Sequence, residues 1–173
     1  MLVDVLLIGG RSGVGKSTVG WEVSAQLQAA EVSHCYLEGD FLDQAFPAPP
    51  GDPNRSQLTR DNIAALWRNF STRGYHRLVY TNTVSVIYPE EITESLGEPS
   101  RVTRVLLTAS DETANARLAQ REIGSGLDLH IQRSAQRAVD LERAAPSSVL
   151  RICTDGRGVV EIAAEVIAAT GWR

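Results

Sequence analysis

Eight residues near the start of the chain, Gly10-Arg11-Ser12-Gly13-Val14-Gly15-Lys16-Ser17, satisfy the spacing G-x-x-x-x-G-K-[ST] in full. The pattern is short, so its force comes from its setting. Val3 to Ile8 is a short apolar, β-branched run that reads as a buried strand. A helix is expected from near Gly15 to about Ala30, with Val19, Val23 and Leu27 at helical spacing. A strand running through a glycine loop into a helix is the setting a phosphate-binding loop requires. Glycines at 10, 13 and 15 let the backbone fold tightly, so that its N–H groups can face a row of phosphates. The helix start adds partial positive charge at the same point. Lys16 would reach the β- and γ-phosphates, and the Ser17 hydroxyl would hold Mg²⁺. The expected nucleotide-binding set is Gly10, Arg11, Ser12, Gly13, Val14, Gly15, Lys16, Ser17 and Thr18.

Lys16 is also the sole lysine among 17 basic residues. Arginine and lysine interchange on a solvated surface but not at every site, so this one position suggests a need for a compact, flexible ammonium. The length of 173 residues suits one domain, 1–173. With 43% hydrophobic and 22% charged residues, the chain is too apolar for disorder. No apolar run approaches the roughly 20 residues of a membrane span, so no membrane partner is expected. The net charge of −4 argues against nucleic acid as a partner. Cys35 and Cys153 are too few for a disulfide framework. The strand follows Met1 almost directly, so no signal peptide is expected and the chain reads as cytoplasmic. It would act as a monomer or homodimer.

Further along, strands are expected at His34–Leu37, Leu78–Tyr80, Val102–Thr108 and Val149–Cys153. Helices are expected from Thr59, as N-cap, towards Gly74, then from Asp111 to about Arg121, Leu129 to Arg143, and Val159 to Ala169. Alternation of this kind indicates an α/β fold with a mainly parallel sheet. Between Phe41 and Arg55, four prolines and Gly51 forbid a regular helix or central strand, and such a segment is usually functional or disordered.

A phosphate loop serves motors, switches and kinases alike. A hydrolytic ATPase places a carboxylate at the end of the third strand, where this chain has Thr81-Asn82-Thr83. The guanine-reading Asn-Lys-x-Asp needs a second lysine. Small kinases are therefore the best class, with a nucleotide-dependent regulator lacking an acceptor as the alternative, and GTP stays open as donor. Asp40, in Glu38-Gly39-Asp40 at the end of the second strand, is the candidate to orient or deprotonate an acceptor hydroxyl. Asp43 is a weaker one.

The loop Gly10–Ser17 followed by Glu38-Gly39-Asp40-Phe41-Leu42 resembles the gluconokinase and adenylylsulfate kinase branch of the P-loop kinases. Leu58-Thr59-Arg60-Asp61 resembles a later gluconokinase segment, and Asp61-Asn62-Ile63 an adenylylsulfate kinase helix start. Chloramphenicol-phosphotransferase-like kinases share the plan. The resemblance implies a three-layer α/β/α fold with a five-stranded parallel sheet in the order 2-3-1-4-5, ATP with Mg²⁺, and a small hydroxylated substrate. Gluconokinases continue with His-Pro where this chain has Asp43-Gln44, and carry a lysine after the third strand where it has Thr81 to Ser85. Arg117 and Arg121 resemble the Arg-x-x-x-Arg that opens an adenylate-kinase-like lid, here about 121–137, hinged at Gly124-Ser125-Gly126. By that likeness Arg117 stacks on adenine and Arg121 contacts the transferring phosphates as a catalytic residue beside Lys16 and Asp40. Arg133 and Arg137 repeat the spacing and would close from the other side. Arg157, in the loop after the fifth strand, is a candidate for base contact.

Overall fold

The computed structural model describes residues 2–121 and 127–172, and the side chains of all of these except 121 and 127–129. Five parallel strands form one sheet: β1 (Val3–Gly9), β2 (Cys35–Glu38), β3 (Arg77–Thr81), β4 (Ser100–Thr108) and β5 (Leu150–Cys153). Their order is β2-β3-β1-β4-β5, as the resemblance implies. The helices are α1 (Lys16–Ala29), α2 (Ser56–Ser71), α3 (Pro89–Leu96), α4 (Asp111–Arg121), α5 (Leu127–Ala144) and α6 (Val159–Thr170).

The strand period of two builds the layers. Central β1 sends Val3, Val5 and Leu7 into one core, with Ile63 and Trp67 of α2, Ile92 and Leu96 of α3, and Leu141 of α5. Leu6 and Ile8 enter the other core, with Val19, Val23 and Leu27 of α1 and Ile162, Ala163 and Val166 of α6. A strand buried on both faces reads as a continuous apolar run, which is why Val3 to Ile8 carries no polar alternation beyond Asp4. The register pairs Ile8 with Thr81 and Glu38 with Thr81, so three strands end in line. Their loops therefore leave from one edge of the sheet, where ligands bind in open α/β folds.

Three local readings change. The helix α2 begins at Ser56, not at Thr59, whose hydroxyl instead donates to the Arg55 carbonyl at 3.0 Å. Its first turn is capped from further back: the Leu58 N–H donates to Asp52 Oδ2 at 3.0 Å. The helix α3 lies in a stretch from which no element was expected. Pro89 at its start, Glu90 and Glu91 in its first turn and left-handed Gly97 at its end are its sequence signals. Its eight residues are too few to show a helical period. The edge of β4 extends back to Ser100 because its register with Val3 of β1 continues there.

Candidate active site

The loop between β1 and α1 is held from three sides. The Gly10 N–H donates to the Thr83 carbonyl at 3.2 Å, tying it to the segment after β3. The Ser134 hydroxyl of α5 donates to the Ser12 carbonyl at 2.8 Å. On the α4 side, Gly13 has φ 88°, and a Cβ there would stand 2.5 Å from the Ala114 carbonyl oxygen. Only glycine permits both that backbone angle and that approach. The Lys16 side chain folds back over the loop, where its Nζ donates to the Arg11 carbonyl at 3.2 Å.

At the mouth of this loop lies a cavity of about 310 Å³, with Ser12, Gly13, Gly15, Lys16, Ser17, Asp40, Leu118 and His130 in its walls. Lys16 and Ser17 thus meet Asp40, 23 residues beyond Ser17, in one space. Glu38, to which sequence reasoning gave no role, is the partner of Ser17: its Oε1 accepts the Ser17 hydroxyl. Its Oε2 accepts the Tyr36 hydroxyl at 2.9 Å. The signal was a carboxylate directly before Gly39 at a strand end, in the segment already singled out for Asp40. Mg²⁺ takes hard oxygen ligands, usually one or two carboxylates or hydroxyls completed by phosphate oxygens and water. The Ser17 hydroxyl beside the Glu38 carboxylate fits that ion. Among the described residues, no group of three or more His, Cys, Asp or Glu stands ready to hold a metal by itself.

The arginines divide by position. Arg11 turns away from the loop mouth: at 2% exposure its Nη1 meets Asp111 Oδ1 at 2.6 Å, and its Nη2 donates to the Ser110 carbonyl at 2.9 Å. Arg117 braces the loop from α4, donating to the Val14 carbonyl at 3.2 Å, Thr154 Oγ1 at 2.9 Å and the Thr154 carbonyl at 3.2 Å. It shares a small cavity of about 160 Å³ with Val14, Thr18, Thr154, Arg157 and Val159. Arg157 lines that space, but its guanidinium is taken by Glu161 at 2.8 Å and Glu165 at 2.7 Å, which raise its pKa with Glu165 foremost. The Arg121 side chain, and Gly124-Ser125-Gly126 of the expected hinge, lie outside the described residues.

Arg133 and Arg137 line a different space, a cleft of about 1200 Å³ that shares Ser12 and His130 with the phosphate cavity. Its other walls include Asp43, Asn54, Asn82, Tyr88 and Asp140. A further cavity of about 560 Å³ behind the loop, between Leu106 of β4 and Val139 and Leu141 of α5, is largely apolar and has no part of the Lys16–Asp40 site.

No family model matches the chain, and no curated protein matches it. Solved structures do. A tunicamycin resistance protein of Deinococcus radiodurans is 18% identical with a TM-score of 0.65, over 99% of this chain and 97% of that one. A gluconokinase from Sinorhizobium meliloti is 20% identical with a TM-score of 0.62, over 97% and 91% of the two chains. The APS kinase of Mycobacterium tuberculosis, solved with AMPPNP and APS, is 20% identical with a TM-score of 0.54, over 98% of each. At these identities the likeness is one of fold: this chain has the fold of the P-loop kinases.

Proposed function

We propose that this chain is a P-loop kinase that moves the γ-phosphoryl group of ATP to a hydroxyl of a small molecule. The observation that carries this reading is the shared cavity of Lys16, Ser17 and Asp40. The loop amides and the Lys16 ammonium would hold the β- and γ-phosphates and meet the charge that develops on them. Ser17, with Glu38 behind it, would hold Mg²⁺, which would supply further neutralisation of that charge. Asp40 would orient the acceptor hydroxyl and take its proton. The hydroxyl oxygen then bonds to the γ-phosphorus, the bond to the β–γ bridging oxygen breaks, and ADP leaves. Arg121, at the end of α4, would contact the transferring phosphates. Arg117 offers its plane, and Thr18 and Arg157 the walls, of the small cavity suited to the base. The AMPPNP bound to the APS kinase of the same fold supports a nucleotide of the ATP type.

The 1200 Å³ cleft is the natural acceptor site, since it shares Ser12 and His130 with the phosphate cavity. It exceeds the space needed for a six-carbon sugar acid, given that drug-sized ligands fill pockets of about 300–1,000 Å³. Among the described residues, neither the Arg133 nor the Arg137 guanidinium has a hydrogen-bond or ion-pair partner, while Asp43 stands in the wall of the same cleft. This pairing favours an acceptor with an anionic group towards α5 and its hydroxyls towards Asp40 and Asp43.

The test is ADP release measured across a panel of hydroxylated acceptors, with product mass determined. Asp40→Asn is expected to abolish acceptor-dependent ADP release and leave ATP affinity within about threefold, since a general base contributes about 10²–10⁴ in rate. Lys16→Ala should weaken both. Tight ATP binding by the wild type without any product gaining a phosphate, across the panel, would favour a nucleotide-dependent regulator instead.

A further inference from the structure

We propose that Tyr36 is a positioning residue for the phosphate site: its hydroxyl fixes the Glu38 carboxylate, and through it the Ser17 hydroxyl, in the orientation a magnesium ion needs. The proposal rests on the reading of the loop as a magnesium–nucleotide site and adds a residue to it.

Tyr36 belongs to β2 two positions before Glu38, so both side chains leave the same face of the strand. Its hydroxyl lies 2.9 Å from Glu38 Oε2 and 3.2 Å from Thr81 Oγ1, while Glu38 Oε1 takes the Ser17 hydroxyl. The carboxylate is therefore held at both oxygens, one by the loop and one by the phenol. A glutamate has three free torsions, and a single contact with Ser17 would leave its plane undetermined. With the Ser17 proton committed to Oε1, the lone pairs of the Ser17 oxygen turn outward, which is the side a cation would approach. Outer partners of this kind commonly set ligand orientation and basicity in metal sites.

A second observation, in another element, is independent of that network. Gly20 sits in the interior of α1, where glycine weakens a helix. A Cβ at that position would stand 2.7 Å from the Tyr36 hydroxyl oxygen and 2.7 Å from Thr81 Cγ2. A merely space-filling ring at position 36 would gain nothing from a hydroxyl there. The glycine makes room for that hydroxyl where it can reach Glu38. Trp21, the next residue of α1, packs edge-on against the Tyr36 ring with centroids 5.1 Å apart.

The experiment is calorimetric titration of ATP into wild type, Tyr36→Phe and Gly20→Ala, over a series of MgCl₂ concentrations and in EDTA, with thermal melts of each protein. The magnesium concentration that half-maximally tightens ATP binding is expected to rise about tenfold in Tyr36→Phe, the lower end of what losing a hydrogen bond to a metal-site carboxylate costs. Gly20→Ala should shift it in the same direction, because its methyl group displaces the hydroxyl. ATP affinity in EDTA should stay within about twofold of wild type in Tyr36→Phe, because no phosphate contact is lost. An unchanged magnesium requirement in a normally melting Tyr36→Phe would overturn the proposal while leaving the nucleotide site intact. Equal weakening with and without magnesium would overturn it too, by reducing Tyr36 to packing. If the wild type binds ATP with no response to magnesium, the magnesium reading of the loop falls, and the role of Tyr36 with it.

Discussion

Arg11 shows how one side chain in the loop divides its work between backbone and charge. Its carbonyl accepts from Lys16, while its guanidinium, 2% exposed, is spent on Asp111 and two backbone carbonyls at the start of α4. Asp111 itself is 73% exposed, so the pair is unequal: the arginine needs its acceptors, whereas the aspartate has water. Arg11→Ala is therefore expected to lower unfolding stability by about 1.5–3 kcal/mol, the range for hydrogen bonds to a charged group. Asp111→Ala should cost less than about 1 kcal/mol, because Arg11 keeps its carbonyls and the lost partner was solvated. Urea unfolding of the two variants tests the asymmetry, and equal losses would contradict it. The spacing of the loop was enough to place the residues that meet phosphates, since backbone N–H groups and Lys16 follow from the turn itself. It carried no information on where Arg11, Arg117 and Arg157 would point. Each finds its acceptors in α4, α6 or the loop after β5, contacts 100, 37 and 8 residues along the chain that a linear pattern does not rank.

At the scale of an element, α2 illustrates a start signal displaced from its helix. Arg55, in left-handed conformation with φ 57°, occupies the cap position and offers no capping side chain. Asp52 supplies the acceptor from across the preceding turn, and the N–H of Leu58 holds its carboxyl below the ordinary 3.8. A lowered pKa of this kind contributes stability above about pH 3.8 that is lost as the pH falls through the folded value. Asp52→Ala should thus lower the melting temperature at pH 7 by more than it does at pH 3, as scanning calorimetry at both values would show. Thr59 was the more conventional cap by sequence, and it fails because the helix has already begun three residues earlier. The lid side behaves similarly. The polar helix α5 was legible from its length and its stop before Pro146, but its attachment through Ser134 to the Ser12 carbonyl was not. Ser134 is buried, so Ser134→Ala leaves that carbonyl without its donor, a loss of about 1 kcal/mol. Amide exchange should speed up across residues 130–144 relative to α1 and α6, and uniform exchange would show that α5 is held elsewhere.

The whole molecule is a sheet whose two cores meet only through its strands, and the candidate site is the seam where loops from three strands and two helices converge. The strand order was legible only through resemblance, because adjacency of β2 to β3 rather than β1 is a property of the finished packing and not of any local run. The same packing has a consequence away from the site. On the β2–β3 side, three weak acids are shielded from water: Cys35, with its thiol pushed up to about 12 by burial, and Tyr36 and Tyr80, whose phenols are raised above 10.0 chiefly by burial. Tyr80 is raised further by Asp40, Asp43 and Glu91, which set a negative field at this end of the sheet. An acid whose folded pKa lies above its unfolded one stabilises fully below the unfolded value and loses that contribution as the pH rises. The window opens near pH 9 for the thiol and near pH 10 for the phenols. Stability should therefore hold to about pH 9 and fall steeply beyond it, with β2 yielding first because it is the sheet edge that carries two of the three groups. Urea midpoints at pH 7, 9 and 10.5 measure this, and Cys35→Ala should flatten the first part of the decline. Thiol labelling gives a second reading of the same packing: exposed Cys153 should react in the native protein at pH 8, while Cys35 reacts only after unfolding. Two thiols labelled in the native state, or a stability that stays flat to pH 10.5, would show that the β2 edge is open to water and that the Glu38–Tyr36 pair sits in a wetter setting than its burial implies.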